Sequence, residues 1–258
     1  MAASSADAAA AALAVARFAR PGDVVGVGSG ALAAPLLAAL VQGCPTARVV
    51  AGGDVAAAEA AVAGVPRAPP GAPLDVSFLC ADEIDAADLA FVTGRSSGGG
   101  SQPQLARLAA LAAPPPARGV VALVPHPDRV VPRLAGDIPV LVDLAAWEEA
   151  GDALDDLFIG DAEIWRRPRD PADDDAGPRG GSTPHADDDA TLLDIVFGDE
   201  PLCLDGDAGV SYRAVVDAIC AVPGVRATGL AWAAAAVVVG GGADGGPAVL
   251  DRGAVVER

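Results

Sequence analysis

Residues 74–100 read LDVSFLCADEIDAADLAFVTGRSSGGG, and this stretch joins three signals in a fixed order. The run LDVSFL has the continuous apolar pattern of a strand that is buried on both faces. A group of carboxylates follows it, and LAFV then predicts a second, shorter strand. The stretch ends in a run of three glycines. A strand, an acidic turn and a glycine loop in this order are typical of a ligand site at the carboxyl end of a parallel strand.

The same alternation extends on both sides of this stretch. Strands are predicted at VVGV (24–27), ARVVAGG (47–53) and GVVALVP (119–125), and helices at residues 6–19, 34–42, 54–64 and 104–113. Apolar strands that alternate with helices predict a mostly parallel sheet with helices on both faces. We therefore expect an α/β fold with a Rossmann-like three-layer domain.

The pattern changes near residue 139. Two strand-helix-strand units follow, with predicted strands at 139–144, 162–167, 191–197 and 225–232 and predicted helices at 146–158 and 210–222. This order predicts a smaller α+β domain of ferredoxin-like layout. Residues 235–241 and 248–252 are expected to return to the first sheet. The expected division is a large domain of residues 1–138 and 233–258, and a small domain of residues 139–232.

The stretch 169–189 inside the small domain is rich in Asp, Pro and Gly and has almost no large apolar side chain. Such a stretch buries too little apolar surface to offset the entropy lost on ordering. We expect a disordered surface loop there.

Composition excludes several classes of function. The chain has 258 residues and a formal net charge of −18, which argues against nucleic acid as a partner because phosphate binding needs a positive face. All 17 basic residues are arginine, so no mechanism can use a lysine ammonium. The four cysteines form no CxxC pair, which argues against a zinc or redox site and predicts reduced thiols.

No sequence feature specifies a cellular compartment, so the compartment is predicted by default. No run of 18 strongly apolar residues occurs, so no membrane partner is expected. The first residues lack an early basic region and are interpreted as a first helix, not as a cleaved signal. The cytoplasm is therefore the expected compartment, and a plastid is the alternative if the true start lies upstream.

Carboxylates supply the only candidates for proton transfer. Asp82 and Glu83 are the candidate catalytic residues, and Asp82 and Asp85 are candidates for holding sugar hydroxyls. The alternative for Asp82 or Asp85 is that the side chain only caps the following turn. His126 and His185 stand alone in the sequence and are not predicted to act as bases.

Two glycine loops supply candidates for anion binding. The loop GVGSGA (26–31) lies between a strand and a helix, where backbone amides can approach an anion, although a plain tight turn fits equally well. The loop GRSSGGGSQ (94–102) offers a cation, hydroxyls and bare amides, and a flexible linker is its alternative. The candidate substrate-binding residues in these loops are Gly28, Ser29, Gly30, Arg95, Ser97, Gly98, Gly99 and Gly100.

These segments resemble the type A ribose-5-phosphate isomerase family. GVGSGALAAPLLAAL is similar to the GxGTGST loop and helix of that family, and residues 74–100 are similar to its D-G-A-D-E-x-D…K-G-G-G segment. The resemblance continues through GVVALVPHPDRVVPRLAGDIPVLVDL, LLDIVF, VPGVRATGL and the final VVVGG…AVLDRG, and so covers nearly the whole chain.

The resemblance implies a function in the pentose phosphate pathway. It implies cofactor-free interconversion of ribose 5-phosphate and ribulose 5-phosphate through an enediolate, with a carboxylate moving the proton and lysines assisting. It also implies a small phosphorylated sugar as ligand, no metal, and a homo-oligomer.

The chain departs from the family pattern at several functional positions. The base glutamate of the family falls on Ala106, and no Asp or Glu occurs between residues 89 and 127. Its first loop aspartate falls on Leu79, while the second is kept as Asp82. Arg95 is the only cation near the position of the family lysine. We therefore expect little isomerase activity unless Asp82 or Glu83 has taken over proton transfer, and the alternative is a non-catalytic sugar-phosphate-binding or structural partner, a pseudoenzyme.

Overall fold

The structure is a computed structural model. It describes residues 5–69, 71–95, 117–167, 189–204, 207, 209–232, 234–241 and 246–251. The helix predicted at 104–113 and nearly all of the loop predicted at 169–189 lie outside these residues.

A six-stranded sheet forms the centre of the fold, in the order β14-β13-β6-β3-β1-β2. All neighbouring pairs are parallel except β13 with β14. The strands are β1 (Val24–Val27), β2 (Arg48–Ala51), β3 (Val76–Cys80), β6 (Val120–Val124), β13 (Ala236–Val239) and β14 (Ala248–Asp251). Strands β13 and β14, from the C-terminal part of the chain, complete one edge of this sheet, as the sequence predicts.

Three helices cover one face of this sheet: α1 (Ser5–Phe18), α2 (Ala33–Gly43) and α3 (Asp54–Ala63). Alternate side chains of the central strands divide between the two faces, because successive strand residues point in opposite directions. Phe78 and Leu123 pack with the helices, whereas Leu79 and Val124 pack in a second buried cluster with Ile84. Both clusters are apolar, which explains the continuous hydrophobic runs in the sequence.

A four-stranded antiparallel sheet forms the smaller part, in the order β11-β8-β10-β9. Its elements are β8 (Ala135–Asp143), α4 (Trp147–Leu157), β9 (Glu163–Arg166), β10 (Ala190–Pro201), α5 (Tyr212–Ala221) and β11 (Val225–Thr228). This chain order and strand order are those of a ferredoxin-like unit. The predicted α/β fold with a mostly parallel sheet and a smaller ferredoxin-like part is therefore confirmed. Strand β8 runs across residue 138, where the sequence predicts a domain boundary.

A third small sheet, absent from the sequence prediction, lies between the other two. It joins β4 (Glu83–Asp85), β5 (Phe91–Val92), β7 (Val130–Val131) and β12 (Leu230–Ala231) in the order β12-β5-β4-β7. The acidic turn of the opening stretch is thus itself a strand. No helix within the described residues is long and apolar enough to span a bilayer.

Candidate functional site

The carboxyl ends of the parallel strands meet at one edge of the six-stranded sheet. The register pairs Val27 with Phe78, Cys80 with Leu123, and Val124 with Val239. The loops that follow β1, β3, β6 and β13 therefore emerge side by side. Parallel sheets bind ligands at this edge, so it is the candidate site.

The first glycine loop turns tightly over the end of β3. The Gly28 amide donates to the Phe78 carbonyl at 2.9 Å, so this amide belongs to the sheet. Gly30 has φ +141°, and a Cβ there would lie 2.5 Å from the Cβ of Cys80, which explains why the position holds glycine. Ser29 is buried, and its hydroxyl lies near Gly53, just before α3 begins. The loop is thus held close to the strand that leads to Asp82.

Asp82 lies between β3 and β4, two residues after the end of β3. Its backbone amide donates to the Val92 carbonyl at 2.8 Å, which places it beside the end of β5. Its Oδ2 accepts the backbone amide of Arg95 at 2.8 Å. This carboxylate therefore lies between the strand end and the start of the second glycine loop.

Glu83 and Arg95 form an ion pair at 2.9 Å between Glu83 Oε2 and Arg95 Nη1. The same Glu83 oxygen accepts the Ala135 amide at 3.2 Å. Arg95 also donates through Nε to the Asp137 carbonyl at 2.5 Å and through Nη2 to the Ala135 carbonyl. The guanidinium is thus engaged with protein acceptors at the start of β8, and only 12% of the Arg95 side chain is exposed.

Asp85, the last residue of β4, is buried, with 1% of its surface exposed. Its Oδ1 accepts the amides of Ala87 at 2.8 Å and Asp88 at 2.9 Å, so the side chain caps the turn that follows β4. Its Oδ2 accepts the hydroxyl of Tyr212 at 2.7 Å. Burial raises the pKa of Tyr212, and the hydrogen bond to Asp85 raises it further.

Two further ionisable groups lie close to Asp82 under the first loop. Burial raises the pKa of the Cys80 thiol to about 12, and the charges of Asp82 and Glu59 add to this shift. Burial also raises the pKa of Glu59 on α3, whose Oε2 is buried without a hydrogen-bond partner among the described residues. The Cys80 thiol is therefore a poor nucleophile here, because only the thiolate reacts.

Sequence reasoning missed three residues around the acidic turn: Glu59, Arg167 and Tyr212. Glu59 is the only charged residue of α3 after its first position, which is a signal that the sequence does contain. Tyr212 contacts Asp85 and Arg167 contacts Gly94, and these partners are 127 and 73 residues apart in the sequence. No local pattern marks contacts of that separation.

The remaining predicted residues are placed as follows. Ser97, the glycines at 98–100 and Ala106 lie outside the described residues. His126 follows β6 and is exposed, and its Nδ1 lies 3.2 Å from Asp128 Oδ1, so it does not stand alone in space. Among the described residues, no group of three or more His, Cys, Asp or Glu side chains is arranged to hold a metal ion.

Solved structures with the same fold are found, although no family model and no curated protein matches the sequence. Ribose 5-phosphate isomerase A from Methanocaldococcus jannaschii superposes with a TM-score of 0.73 at 21% identity, over 95% of this chain and 98% of that one. The isomerase A from Neisseria gonorrhoeae gives 0.71 at 19% identity, over 96% of each chain. A D-ribose-5-phosphate isomerase in complex with phospho-erythronic acid gives 0.72 at 20% identity, over 98% of this chain and all of that one. The chain therefore has the fold of ribose 5-phosphate isomerase A.

Proposed function

We propose that the chain binds a small phosphorylated sugar at the carboxyl edge of the six-stranded sheet. The observation that carries this proposal is the position of Asp82, held by the Arg95 amide beside the Gly28–Gly30 loop. The solved neighbour bound to phospho-erythronic acid supports a ligand of this class. Asp82 can accept hydrogen bonds from sugar hydroxyls. The N-terminus of α2 follows the Gly28–Gly30 loop, and the partial positive charge of a helix N-terminus favours an anion.

Isomerisation at this site would run through Asp82 without a cofactor. A carboxylate can take the proton from the hydroxyl-bearing carbon beside the carbonyl and return it to the former carbonyl carbon through an enediolate, while the hydroxyl proton moves to the former carbonyl oxygen. Glu83 is less suited to this role because its Oε2 is already paired with Arg95 and the Ala135 amide. Asp85 is less suited because it is buried and accepts three hydrogen bonds.

The rate should be low in comparison with isomerases that keep the base glutamate. A positioned acid or base contributes roughly 10²- to 10⁴-fold, and this chain has Ala106 at that position by resemblance. We therefore expect detectable binding of ribose 5-phosphate and slow conversion to ribulose 5-phosphate.

The test measures binding by calorimetry and conversion by product detection for the unmodified chain and for Asp82→Asn and Glu59→Gln. Asp82→Asn should abolish conversion, while Glu59→Gln should leave it in place. Absence of ribose 5-phosphate binding would overturn the proposal. Conversion that is lost in Glu59→Gln but kept in Asp82→Asn would assign proton transfer to Glu59 on α3 instead of Asp82.

A non-catalytic binder is the second candidate function. It is favoured by the engagement of all three carboxylates in contacts within the protein, since Glu83 pairs with Arg95, Asp85 accepts the Tyr212 hydroxyl, and Asp82 accepts the Arg95 amide. On this proposal the chain binds the phosphosugar without turnover and acts as a sensor or as a structural partner.

Its test combines calorimetry with analytical ultracentrifugation. Binding without conversion at high protein concentration would support it. A homo-oligomer, which we infer from the family resemblance alone, should sediment above the mass of one chain. Conversion at an ordinary enzymatic rate would exclude this second function.

A further inference from the structure

One peptide group connects the antiparallel sheet β11-β8-β10-β9, through Arg167, to the candidate site. The carbonyl of Gly94 and the amide of Arg95 are the two ends of this group. The amide donates to Asp82 Oδ2 at 2.8 Å. The carbonyl accepts from Arg167 Nη1 at 2.9 Å. Since a peptide group is planar, fixing one end fixes the direction of the other.

Arg167 is itself held firmly. Its Nε and Nη2 donate to the two carboxylate oxygens of Asp194, at 2.5 and 2.6 Å, in a two-pronged pair. The side chains of Arg167 and Asp194 are only 13% and 11% exposed. Because the guanidinium is planar and rigid, pairing Nε and Nη2 with Asp194 also fixes the direction of Nη1. This nitrogen donates to the Gly94 carbonyl.

The backbone at Gly94 is adapted to this contact. Gly94 has φ +92°, a backbone conformation that residues other than glycine rarely adopt. The adjoining Thr93 is tied on both sides, through its amide to the Gly229 carbonyl at 3.0 Å and through its hydroxyl to the Cys80 carbonyl at 2.9 Å. The peptide between Gly94 and Arg95 therefore has little freedom to rotate while Arg167 holds it.

We propose that Arg167, paired with Asp194, is a positioning residue of the candidate site, which aims the Arg95 amide at Asp82 through the Gly94 carbonyl. Hydrogen bonds in a chain also polarise one another, so the carbonyl contact strengthens the amide contact on the other side. The antiparallel sheet thus contributes to the site without touching the ligand. This inference rests on the proposed sugar-phosphate function for its consequence, but its geometry can be tested without any ligand.

The first measurement is hydrogen exchange of the Arg95 amide, with Arg167→Met compared with the unmodified chain. Loss of the contact to the Gly94 carbonyl should speed exchange of the Arg95 amide about tenfold, because the hydrogen bond from this amide to Asp82 loses its alignment. Arg226→Met is the matched control. Arg226 also pairs with aspartates, Asp143 and Asp189, but it is partly exposed and has no described contact with Gly94.

The second measurement is affinity for ribose 5-phosphate. Arg167→Met should weaken binding several-fold, whereas Arg226→Met should leave both affinity and Arg95 exchange within about twofold of the unmodified chain. Arg167→Lys keeps the charge but lacks the fork, so one ammonium cannot reproduce the pair and the carbonyl contact together. Arg167→Lys should therefore give an exchange rate of the Arg95 amide between that of the unmodified chain and that of Arg167→Met.

Unchanged exchange of the Arg95 amide in folded Arg167→Met would overturn the inference. If Arg167→Met does not fold, Arg167→Lys decides, and an unchanged Arg95 rate in that variant overturns it equally. Failure of the unmodified chain to bind ribose 5-phosphate would remove the proposed function, while faster Arg95 exchange in the Arg167 variants would still establish the positioning contact.

Discussion

At the scale of single residues, the candidate site depends on backbone groups as much as on side chains. The Arg95 amide and the Gly94 carbonyl hold Asp82 and Arg167 respectively. The sequence predicts Asp82 and Arg95 as site residues because both lie next to recognisable patterns. It cannot predict that the Arg95 guanidinium turns toward Glu83 and β8, because that direction depends on a strand that begins 40 residues later.

Replacing Gly94 with alanine should cost stability and also disturb the site. A non-glycine residue at positive φ costs about 1–2 kcal/mol. Gly160→Ala is the matched control, since Gly160 has φ +79° and open space around it. Urea denaturation should show a similar loss for both variants. Only Gly94→Ala should weaken ribose 5-phosphate binding, and equal binding losses in both variants would contradict the assignment.

At the scale of elements, the long strands and the helices α1 to α3 follow from the sequence, whereas two of the short strands do not. Strand β1 falls on VVGV as predicted, and the predicted helices match α1 to α3 within one or two residues. Strands β4 and β7 have only two or three residues each, which is too short for any periodicity, whereas the equally short β5 and β12 lie within the strands predicted at LAFV and at 225–232. Strands β4 and β7 form because neighbours supply the partners, as when Ala86 donates to the Val131 carbonyl at 2.9 Å.

Removing the Tyr212 hydroxyl should loosen the contact between α5 and β4, where Asp85 lies. In Tyr212→Phe, Asp85 loses a donor, and the Leu134 amide loses the acceptor that it reaches at 2.9 Å. Leaving such buried groups unpaired should lower the free energy of unfolding by about 2–4 kcal/mol. Denaturation in urea measures this loss.

Ser211→Ala provides the comparison for Tyr212→Phe. It removes one hydrogen bond at the exposed start of α5, from the Ala214 amide to Ser211 Oγ at 3.3 Å. Its cost should be about 0.5–1 kcal/mol. Equal losses in the two variants would show that the buried contact between Tyr212 and Asp85 adds little.

At the scale of the whole molecule, stability should fall in alkaline solution. Cys80 and Tyr212 have pKa values raised above their ordinary 9.0 and 10.0 in the folded chain, so the folded state keeps protons that the unfolded state loses. The stabilisation is complete below about pH 9 and is lost as the pH rises toward the folded values. Urea denaturation from about pH 8 to about pH 11 measures the decline.

The single tyrosine of the chain gives this pH prediction a direct optical check. Near-ultraviolet absorbance of the phenolate should appear at higher pH in the folded chain than in the denatured chain. Stability should fall less steeply above about pH 10 in Tyr212→Phe. Constant stability across this range, or ordinary titration of Tyr212 in the folded chain, would contradict the prediction.

The strand order of the central sheet also governs how the chain can assemble during synthesis. Strand β6 pairs with β13, whose first residue is made more than 100 residues after β6 ends. Until those residues leave the ribosome, β6 has an unpaired edge, and unpaired edges attract strands of other chains. The antiparallel sheet is made in that interval and its helices pack within it, so it can fold first and bring the two distant strands together. The insertion of this sheet between β6 and β13 therefore sets how long the β6 edge stays unpaired in the nascent chain.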